Sequence, residues 1–288
     1  TIWANINMEN INTLLAKSTN YLKKNEILTA GLDSELLLSN IINKPREYLF
    51  LNPNRIIDKD NVEKFQFLIE RRKKKEPIAY ILNKKDFWKS TFYVDKNVLI
   101  PRPDTEILIQ EALYLLPKDR RISVLDIGTG SGCIILSLLQ ENKHITGFGI
   151  DISKKALKVA NFNAKIHQLQ NRVRFFKSSV DNFFKGKYDL IVSNPPYINK
   201  IDFKYLEKDV SGFEPIAALK GGNDGLSLIR KVVERSSKLL KKGGKFILEI
   251  GYDQKLKVKS LLKKKKFYVK KIVKDYGKKN RCIICIKL

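Results

Sequence analysis

The sequence predicts an α/β protein in which a small N-terminal helical bundle precedes a doubly wound, mostly parallel sheet. From about residue 122 onward, short apolar runs alternate with helical patterns, and parallel strands require such crossover connections. Before residue 75, apolar residues instead recur at the 3.6-residue spacing of helices. The length of 288 residues suits two domains.

Residues 1–75 are predicted to form the helical domain. The acids Asp33 and Asp58 stand where helices are expected to start, because acidic and capping side chains favour helix N-termini. The basic run at residues 71–75 is interpreted as solvent-exposed charge.

Residues 76–100 are predicted to form a β-hairpin linker, because apolar and aromatic runs such as residues 78–82 alternate there with turn-like polar residues. Residues 101–288 then form the sheet domain, whose first helix Asp104 or Thr105 is expected to cap. Its seven predicted strands lie at residues 122–127, 145–150, 173–176, 188–192, 245–250, 267–273 and 282–286.

The net charge of +26 has two interpretations that the sequence leaves open. Such charge attracts nucleic acid or another polyanion. The excess is mostly lysine, however, and the Ile- and Asn-rich composition is also what drift in an AT-rich genome produces. Neither a membrane-length apolar stretch nor the layout of a signal peptide is found, so we expect a cytoplasmic protein.

Three cysteines are too few for a disulfide framework. Cys282 and Cys285 form a lone C-x-x-C without a second ligand pair, and we interpret them as apolar residues of a C-terminal strand rather than as a metal or redox site.

A glycine-rich loop follows the first predicted strand of the sheet domain and leads into a helix. It contains Gly128, Thr129, Gly130, Ser131 and Gly132. Glycines allow a sharp turn and close approach of a ligand, to which the helix N-terminus offers free N–H groups. A tight turn without any ligand is the alternative interpretation.

The acids near this loop favour a nucleoside cofactor that carries an ammonium group. Asp126 ends the strand before the loop, where a phosphate-binding loop would not place an acid. Asp151 ends the next strand, from which its carboxylate could accept hydrogen bonds from ribose hydroxyls. Asp151 could also act at the start of the following helix, beside Ser153.

The tetrad Asn194, Pro195, Pro196 and Tyr197 follows the fourth predicted strand of the sheet domain. Proline has a carbonyl and no N–H group, so the Asn194 Oδ1 and the Pro195 carbonyl could each accept one hydrogen of a planar NH2 group. Stacking on Tyr197 would then aim this poorly nucleophilic nitrogen at an activated methyl group. No general base is required, because a methylated amide readily loses its proton.

These motifs resemble those of the release-factor glutamine N5-methyltransferase family over nearly the whole chain. The matching blocks are IPRPDTE at residues 100–106, VLDIGTGSGCI at 124–134, DIS at 151–153, DLIVSNPPYI at 189–198, EPIAAL at 214–219, GGNDGL at 221–226 and EIGYDQ at 249–254.

The resemblance implies a Rossmann-like class I methyltransferase fold with a seven-stranded sheet, and S-adenosylmethionine as the cofactor. It implies that residues 128–132, Asp151 and Asn194 bind this cofactor and that Val180 contacts the adenine. The stretch at residues 178–181 departs from the family pattern, and a shift of one residue would give Asp181 a role instead.

The resemblance also implies that Asn194, Pro195, Pro196 and Tyr197 hold the glutamine of a Gly-Gly-Gln motif in class 1 peptide chain release factors, an activity that aids translation termination. The helical domain would dock the release factor, and we expect a monomer without a metal.

Two other functions would explain parts of the sequence. A nucleic-acid methyltransferase acting on adenine N6 or guanine N2 could use the same tetrad, but no large target-recognition segment follows it. A basic binding module without catalysis would explain the charge but not the paired motifs.

Overall fold

The computed structural model describes residues 8–288, so the first seven residues of the predicted helical domain lie outside the described residues. The chain divides into two compact units. The first takes the chain up to Asn83 together with Lys208–Phe213, and the second comprises Lys84–Glu207 and Glu214–Leu288. Across residues 8–288, every helix is too short or too polar to span a bilayer.

The helices are numbered in chain order. They are α1 (Ile11–Lys24), α2 (Ala30–Ile41), α3 (Arg46–Leu51), α4 (Lys59–Lys73), α5 (Ile78–Ile81), α6 (Glu106–Leu115), α7 (Cys133–Glu141), α8 (Lys154–Ile166), α9 (Lys208–Ser211), α10 (Ser227–Leu239) and α11 (Lys255–Lys264).

In the first unit, α1, α2 and α4 enclose one apolar core. Asp58 caps α4 as predicted, its side chain accepting a hydrogen bond from the Asn61 N–H. Asp33 lies in the first turn of α2, as predicted, although Thr29 is the N-cap residue. Asp33 also forms a buried ion pair at 2.7 Å with Arg72, which belongs to a run that we expected to be exposed. Burial of both partners is tolerated because each neutralises the other.

The start of the predicted hairpin linker is helical rather than extended. The Pro77 carbonyl accepts hydrogen bonds from the N–H groups of Tyr80 and Ile81, which closes the single turn α5. Burial of the Tyr80 and Ile81 side chains favours this turn over a strand. The hairpin itself is shorter than predicted and joins Lys84–Phe87 to Ser90–Tyr93.

The strands are likewise numbered along the chain. They are β1 (Glu9–Asn10), β2 (Ile56–Ile57), β3 (Lys84–Phe87), β4 (Ser90–Tyr93), β5 (Ile122–Ile127), β6 (Ile145–Asp151), β7 (Val173–Lys177), β8 (Tyr188–Ser193), β9 (Leu240–Glu249), β10 (Phe267–Lys274) and β11 (Asn280–Lys287).

The seven predicted strands of the second unit form one sheet in the order β10-β11-β9-β8-β5-β6-β7. Strands β5 to β9 run parallel, whereas β11 pairs antiparallel with both β9 and β10. Helices α6, α7 and α8 contribute to the core cluster on one side of the sheet, and α10 and α11 contribute to the cluster on the other. The predicted doubly wound, mostly parallel architecture is therefore confirmed.

The strand order reverses beside β5, since β6 and β7 follow on one side and β8 and β9 on the other. Ligands of open α/β sheets bind beyond the carboxyl ends of the strands at such a switch point. Ile127 pairs with Ile150 and with Ser193, so β5, β6 and β8 end side by side. The Ser193 hydroxyl also donates a 2.7 Å hydrogen bond to the Ile127 carbonyl.

Candidate active site

A cavity of about 520 Å³ opens at this edge of the sheet, within the volume range of sites that hold small ligands. The residues that line it come from the ends of β5, β6 and β8, from the turn after β7, from α10 and the loop before it, and from the segment between β4 and α6. They include Asn97, Val98, Leu99, Gly128, Gly130, Asp151, Val180, Asp181, Asn194, Pro195, Pro196, Pro215, Lys231 and Val232.

The glycine loop presents its backbone to this cavity. Gly128 and Gly130 have φ angles of +77° and +54°, and a Cβ built on either residue would have no atom within 4 Å. Space beside the backbone is what close approach of a ligand requires. Gly132 has a different function, since it caps α7 and a Cβ there would lie 3.1 Å from the Leu136 side chain.

Asp126 lies fully buried beneath the loop. Its Oδ2 accepts a 2.8 Å hydrogen bond from the Thr129 hydroxyl, and its Oδ1 has no partner among the described residues. Burial raises the pKa of this carboxyl to about 7, because desolvation disfavours the charged form. A buried carboxylate oxygen with a free acceptor fits a ligand that brings positive charge to this edge.

Asp151 stabilises the loop from the neighbouring strand. Its Oδ2 accepts a hydrogen bond from the Gly130 N–H at 3.0 Å, and its Oδ1 accepts one from the Ser153 N–H at 2.8 Å. The Ser153 hydroxyl caps α8 by accepting from the Ala156 N–H. Asp151 lines the cavity, whereas the N-cap of α8 is Ser153, so the alternative interpretation of Asp151 as a helix cap is wrong and its contact with a ribose stays a prediction.

At the far wall, Val180 and Asp181 both border the cavity but differ in exposure. Val180 is buried, whereas the Asp181 side chain is about half exposed and forms an ion pair with Lys231. A buried apolar side chain such as that of Val180 suits contact with a base, whereas the solvated ion pair of Asp181 requires no ligand.

Asn194 is held in one orientation by the segment before α6. Its Nδ2 donates a 3.0 Å hydrogen bond to the Thr105 hydroxyl. Among the described residues nothing donates a hydrogen bond to the Asn194 Oδ1 or to the Pro195 carbonyl. Two acceptors of the predicted kind thus remain available at the cavity wall.

Behind Asn194 lies a buried carboxylate that the sequence reasoning did not single out. Ser193 pairs with Leu248, which brings Glu249 alongside Asn194 in the parallel neighbour strand. The Thr105 hydroxyl donates to Glu249 Oε2 at 2.7 Å. Burial raises the pKa of the Glu249 carboxyl to about 7.

Thr105 is the N-cap residue of α6, as predicted, but its side chain does not cap the helix. Residues Pro103–Thr105 form a 3₁₀ turn, and the Thr105 side chain makes no capping hydrogen bond to α6. A buried carboxylate is a stronger acceptor partner for the hydroxyl, which explains why it points toward Glu249 instead.

Tyr197 does not line the cavity. Its hydroxyl donates to Glu249 Oε1 at 3.2 Å and accepts from Arg281 Nη1 at 3.2 Å. Burial raises the pKa of its phenol, and the nearby Glu249 adds to the shift. The Tyr197 hydroxyl therefore contacts Glu249 and Arg281 rather than the cavity. The predicted stacking of Tyr197 on a substrate amide stays a prediction.

Gln254 ties the tetrad to the sheet. Its Nε2 donates to the Tyr197 carbonyl at 3.0 Å and to the Gly225 carbonyl at 3.2 Å. Its Oε1 accepts from the Gly251 N–H.

Seven predicted site residues therefore meet at the cavity, and four do not line it. The first group is Gly128, Gly130, Asp151, Val180, Asn194, Pro195 and Pro196. The second group is Thr129, Ser131, Gly132 and Tyr197. Thr105, Glu249 and Gln254 were missed as site residues, although they lie in the matched blocks at residues 100–106 and 249–254.

Comparison with known proteins decides the family. A family model described as the PrmC N-terminal domain matches residues 13–82, and one described as a methyltransferase domain matches residues 118–283. The release factor glutamine methyltransferase of Fusobacterium nucleatum subsp. nucleatum is 38% identical over 276 residues, which cover 94% of this chain and 77% of that protein. The chain belongs to the release factor glutamine methyltransferase family.

A second relative with this name, from Buchnera aphidicola subsp. Acyrthosiphon pisum, is 39% identical over 252 residues, 88% of this chain and 90% of that protein. Among solved structures, a methyltransferase from Pyrococcus furiosus aligns with a TM-score of 0.52 and 20% identity, over 68% of this chain and 88% of that chain. This last likeness shows the fold alone, and it confirms the Rossmann-like methyltransferase architecture.

Members of this family are enzymes whose methyl donor is S-adenosylmethionine. The cavity fits that donor in two respects. The open backbone at Gly128 and Gly130 admits a ligand closely. Asp126 is buried and does not itself line the cavity, but its carboxylate oxygen without a donor suits a site that binds a cationic amino acid moiety. Asp151 and Val180 would border its nucleoside.

Proposed function

We propose that this chain methylates the side-chain amide nitrogen, N5, of the glutamine in the Gly-Gly-Gln motif of class 1 peptide chain release factors. The observation that carries the proposal is the pair of free acceptors, the Asn194 Oδ1 and the Pro195 carbonyl, at a cavity that fits S-adenosylmethionine. Relatives named for this reaction support the same substrate.

The two acceptors position the substrate amide and do not act as a general base. A glutamine amide has a delocalised lone pair and is a poor nucleophile, so its position decides the rate. Each acceptor receives a hydrogen bond from one N–H of the amide. The two hydrogen bonds fix the nitrogen in place and increase its electron density. Bound S-adenosylmethionine supplies an electrophilic methyl group on a sulfonium centre.

Proton release needs no dedicated residue in this scheme. The new bond joins the methyl carbon to the amide nitrogen while the carbon–sulfur bond breaks. The nitrogen then carries an extra proton, and such a protonated amide is acidic enough to pass it to water. The absence of a base from the acceptor pair is therefore no obstacle to the reaction.

The proposal also assigns docking of the release factor to the helical unit, which matches the PrmC N-terminal domain model. Seven large apolar side chains among the described residues of this unit are exposed: Met8, Leu28, Leu32, Phe50, Leu51, Ile56 and Phe67. Single exposed apolar residues are ordinary, but seven in one small unit suit a protein partner.

A double substitution, Phe50→Ser with Phe67→Ser, tests the docking assignment. We expect KM for the release factor to rise about tenfold, the cost of roughly 1.4 kcal/mol of lost contact, with kcat unchanged. Tyr114→Ser in the second unit, where Tyr114 is 81% exposed, is the matched control. An unchanged KM in the double variant would contradict the docking role.

The reaction itself is tested with purified chain, isotope-labelled S-adenosylmethionine and a class 1 release factor, followed by digestion and mass spectrometry. The expected product is one added methyl group on the peptide that contains Gly-Gly-Gln, and none on a release factor with Glu in place of that Gln. Duplex DNA and transfer RNA form parallel arms. Label on nucleic acid, or on another residue of the release factor, would overturn the proposal.

A cytoplasmic location and a monomeric enzyme belong to the same proposal. The location follows from the substrate, because release factors act on cytoplasmic ribosomes, and the monomeric state stays a prediction from the sequence.

A further inference from the structure

A continuous series of hydrogen bonds runs from Asn194 into the protein interior. Asn194 Nδ2 donates to Thr105 Oγ1, Thr105 donates to Glu249 Oε2, and Tyr197 donates to Glu249 Oε1. We propose that Glu249, acting through Thr105, is a positioning residue that fixes the Asn194 side-chain amide with its oxygen toward the cavity. This inference rests on the proposed function and deepens it, because it names the residues that keep the Asn194 oxygen available as an acceptor.

The direction of the series follows from the number of hydrogens available. The Thr105 hydroxyl has one hydrogen, and it points to Glu249 Oε2 across 2.7 Å. The Thr105 oxygen can then only accept from Asn194, so the NH2 group of Asn194 must face it. An amide turned over by 180° would set two acceptor oxygens against each other.

Only the carboxylate makes this arrangement strongly preferred. Hydrogen bonds to an ionised acceptor are roughly twice as strong as bonds between neutral groups. Were Thr105 to turn toward the Asn194 oxygen, Glu249 Oε2 would lose its donor at a residue that is only 1% exposed. A buried carboxylate oxygen without a donor is costly, which keeps the Thr105 hydrogen on Glu249.

The charged and titratable groups that face Glu249 come from three sides. Tyr197 contacts it from the tetrad, and Arg281 and Cys282 approach it from β11, where Cys282 is its register partner. Asp104, in the turn before α6, repels the negative charge of Glu249. Arg281, in turn, forms ion pairs with Asp104 and Asp275, which hold this cation beside the Tyr197 hydroxyl.

The orientation matters because a glutamine NH2 group needs acceptors. With the amide of Asn194 reversed, two NH2 groups would face each other across the cavity, and the substrate nitrogen would be repelled. The glycine loop and Asp151 would be unaffected. Loss of the orienting series should therefore reduce the rate of methyl transfer without weakening cofactor binding.

A double-mutant cycle tests whether Thr105 acts through Asn194. Thr105→Val removes the hydroxyl at nearly constant volume, and Thr105→Ser retains it. We expect Thr105→Val to lower kcat for the release factor at least tenfold, Thr105→Ser to stay within threefold of wild type, and both to keep wild-type affinity for S-adenosylmethionine. In the Asn194→Ala background, Thr105→Val should cause no further loss.

Two results would overturn the inference. One is a kcat for Thr105→Ser as low as that for Thr105→Val, which would show that packing of the methyl group matters. The other is an equal fold loss from Thr105→Val with and without Asn194. If the wild type did not methylate the release factor at all, the proposed function would fail instead, so the two failures are distinguishable.

A spectroscopic arm does not depend on activity. In ¹⁵N-asparagine-labelled protein, the side-chain NH2 signals of Asn194 are identified by their disappearance in Asn194→Ala. We expect slow hydrogen exchange of one NH2 hydrogen in wild type and Thr105→Ser, and fast exchange in Thr105→Val and Glu249→Gln. Exchange that is equally slow in Thr105→Val would contradict the positioning role.

Discussion

The two edges of the cavity are built in different ways. The glycine loop and its acids Asp126 and Asp151 lie within a short stretch of chain and offer mainly backbone to a ligand. The Asn194 edge depends on side chains far apart in sequence, since Thr105 and Glu249 are separated by 144 residues. A local motif thus shapes the glycine-loop edge, which faces the cofactor in this scheme. Contacts between residues distant in sequence orient the Asn194 edge, which faces the substrate.

This difference predicts separable defects. Changes at the loop should act on cofactor affinity, because they alter space beside the backbone. Changes at the Asn194 edge should act on the rate of transfer, because they alter the acceptors that hold the nucleophile.

Asn194→Ala should have the largest effect on activity. It removes one of two acceptors, and loss of one preorganised polar group in an active site costs on the order of 100-fold or more in kcat. Affinity for S-adenosylmethionine, measured by calorimetry, should stay within about threefold of wild type, well below one tenfold step of 1.4 kcal/mol. A variant with wild-type kcat would remove Asn194 from the mechanism.

The next effect concerns pH and Glu249. Its pKa lies near 7 in the folded protein, above the ordinary value of 4.5, because burial disfavours the charge. The folded state therefore binds more protons than the unfolded state between pH 4.5 and 7, and this residue's contribution to stability falls as pH rises through that window. The full loss is on the order of 3 kcal/mol.

Activity should follow the opposite direction, because the orienting series needs the ionised carboxylate. We expect kcat of the wild type to rise with pH through about 7. In Glu249→Gln, kcat should no longer rise with pH through about 7. The free energy of unfolding of this variant, measured by urea denaturation, should also depend less on pH between 4.5 and 7. A wild type whose kcat is flat across that range would contradict the role given to the carboxylate.

Gly130→Ala should give a smaller and different defect. The new Cβ would enter open space at the cavity and a φ of +54° is unfavourable for alanine. We expect affinity for S-adenosylmethionine to fall about tenfold, equivalent to roughly 1.4 kcal/mol, with kcat at saturating cofactor within about threefold of wild type. A reduced kcat with unchanged affinity would break the separation of the two edges.

The smallest effects separate Val180 from its neighbour. Val180→Ala should weaken cofactor binding by about 1 kcal/mol, because Val180 is buried against the cavity. Asp181→Asn should change it by less than about 0.5 kcal/mol, since its exposed ion pair with Lys231 is screened by solvent. Calorimetric titration of both variants decides which residue contacts the adenine.

The sequence predicts those parts of the molecule that depend on local pattern. The alternation of strands and helices, the glycine loop and the tetrad all follow from contiguous residues, and the sheet forms as expected. The roles of Asp33, Arg72 and Thr105 could not be predicted, because each is decided by a partner distant in the chain. Helix α5 escaped prediction since burial of Tyr80 and Ile81 outweighed their strand propensity.

Even so, the blocks at residues 100–106 and 249–254 contained Thr105 and Glu249. A resemblance marks such residues without giving their function. The register of β8 against β9, which brings Glu249 alongside Asn194, supplies the missing reason.

The most direct test of the acceptor pair is a crystal structure of the enzyme with S-adenosylhomocysteine and a peptide containing Gly-Gly-Gln. We predict the glutamine amide nitrogen at about 2.9 Å from both the Asn194 Oδ1 and the Pro195 carbonyl oxygen, the usual length of such hydrogen bonds. A glutamine amide bound elsewhere in the cavity, or an Asn194 side chain that turns its nitrogen toward the substrate, would contradict the account.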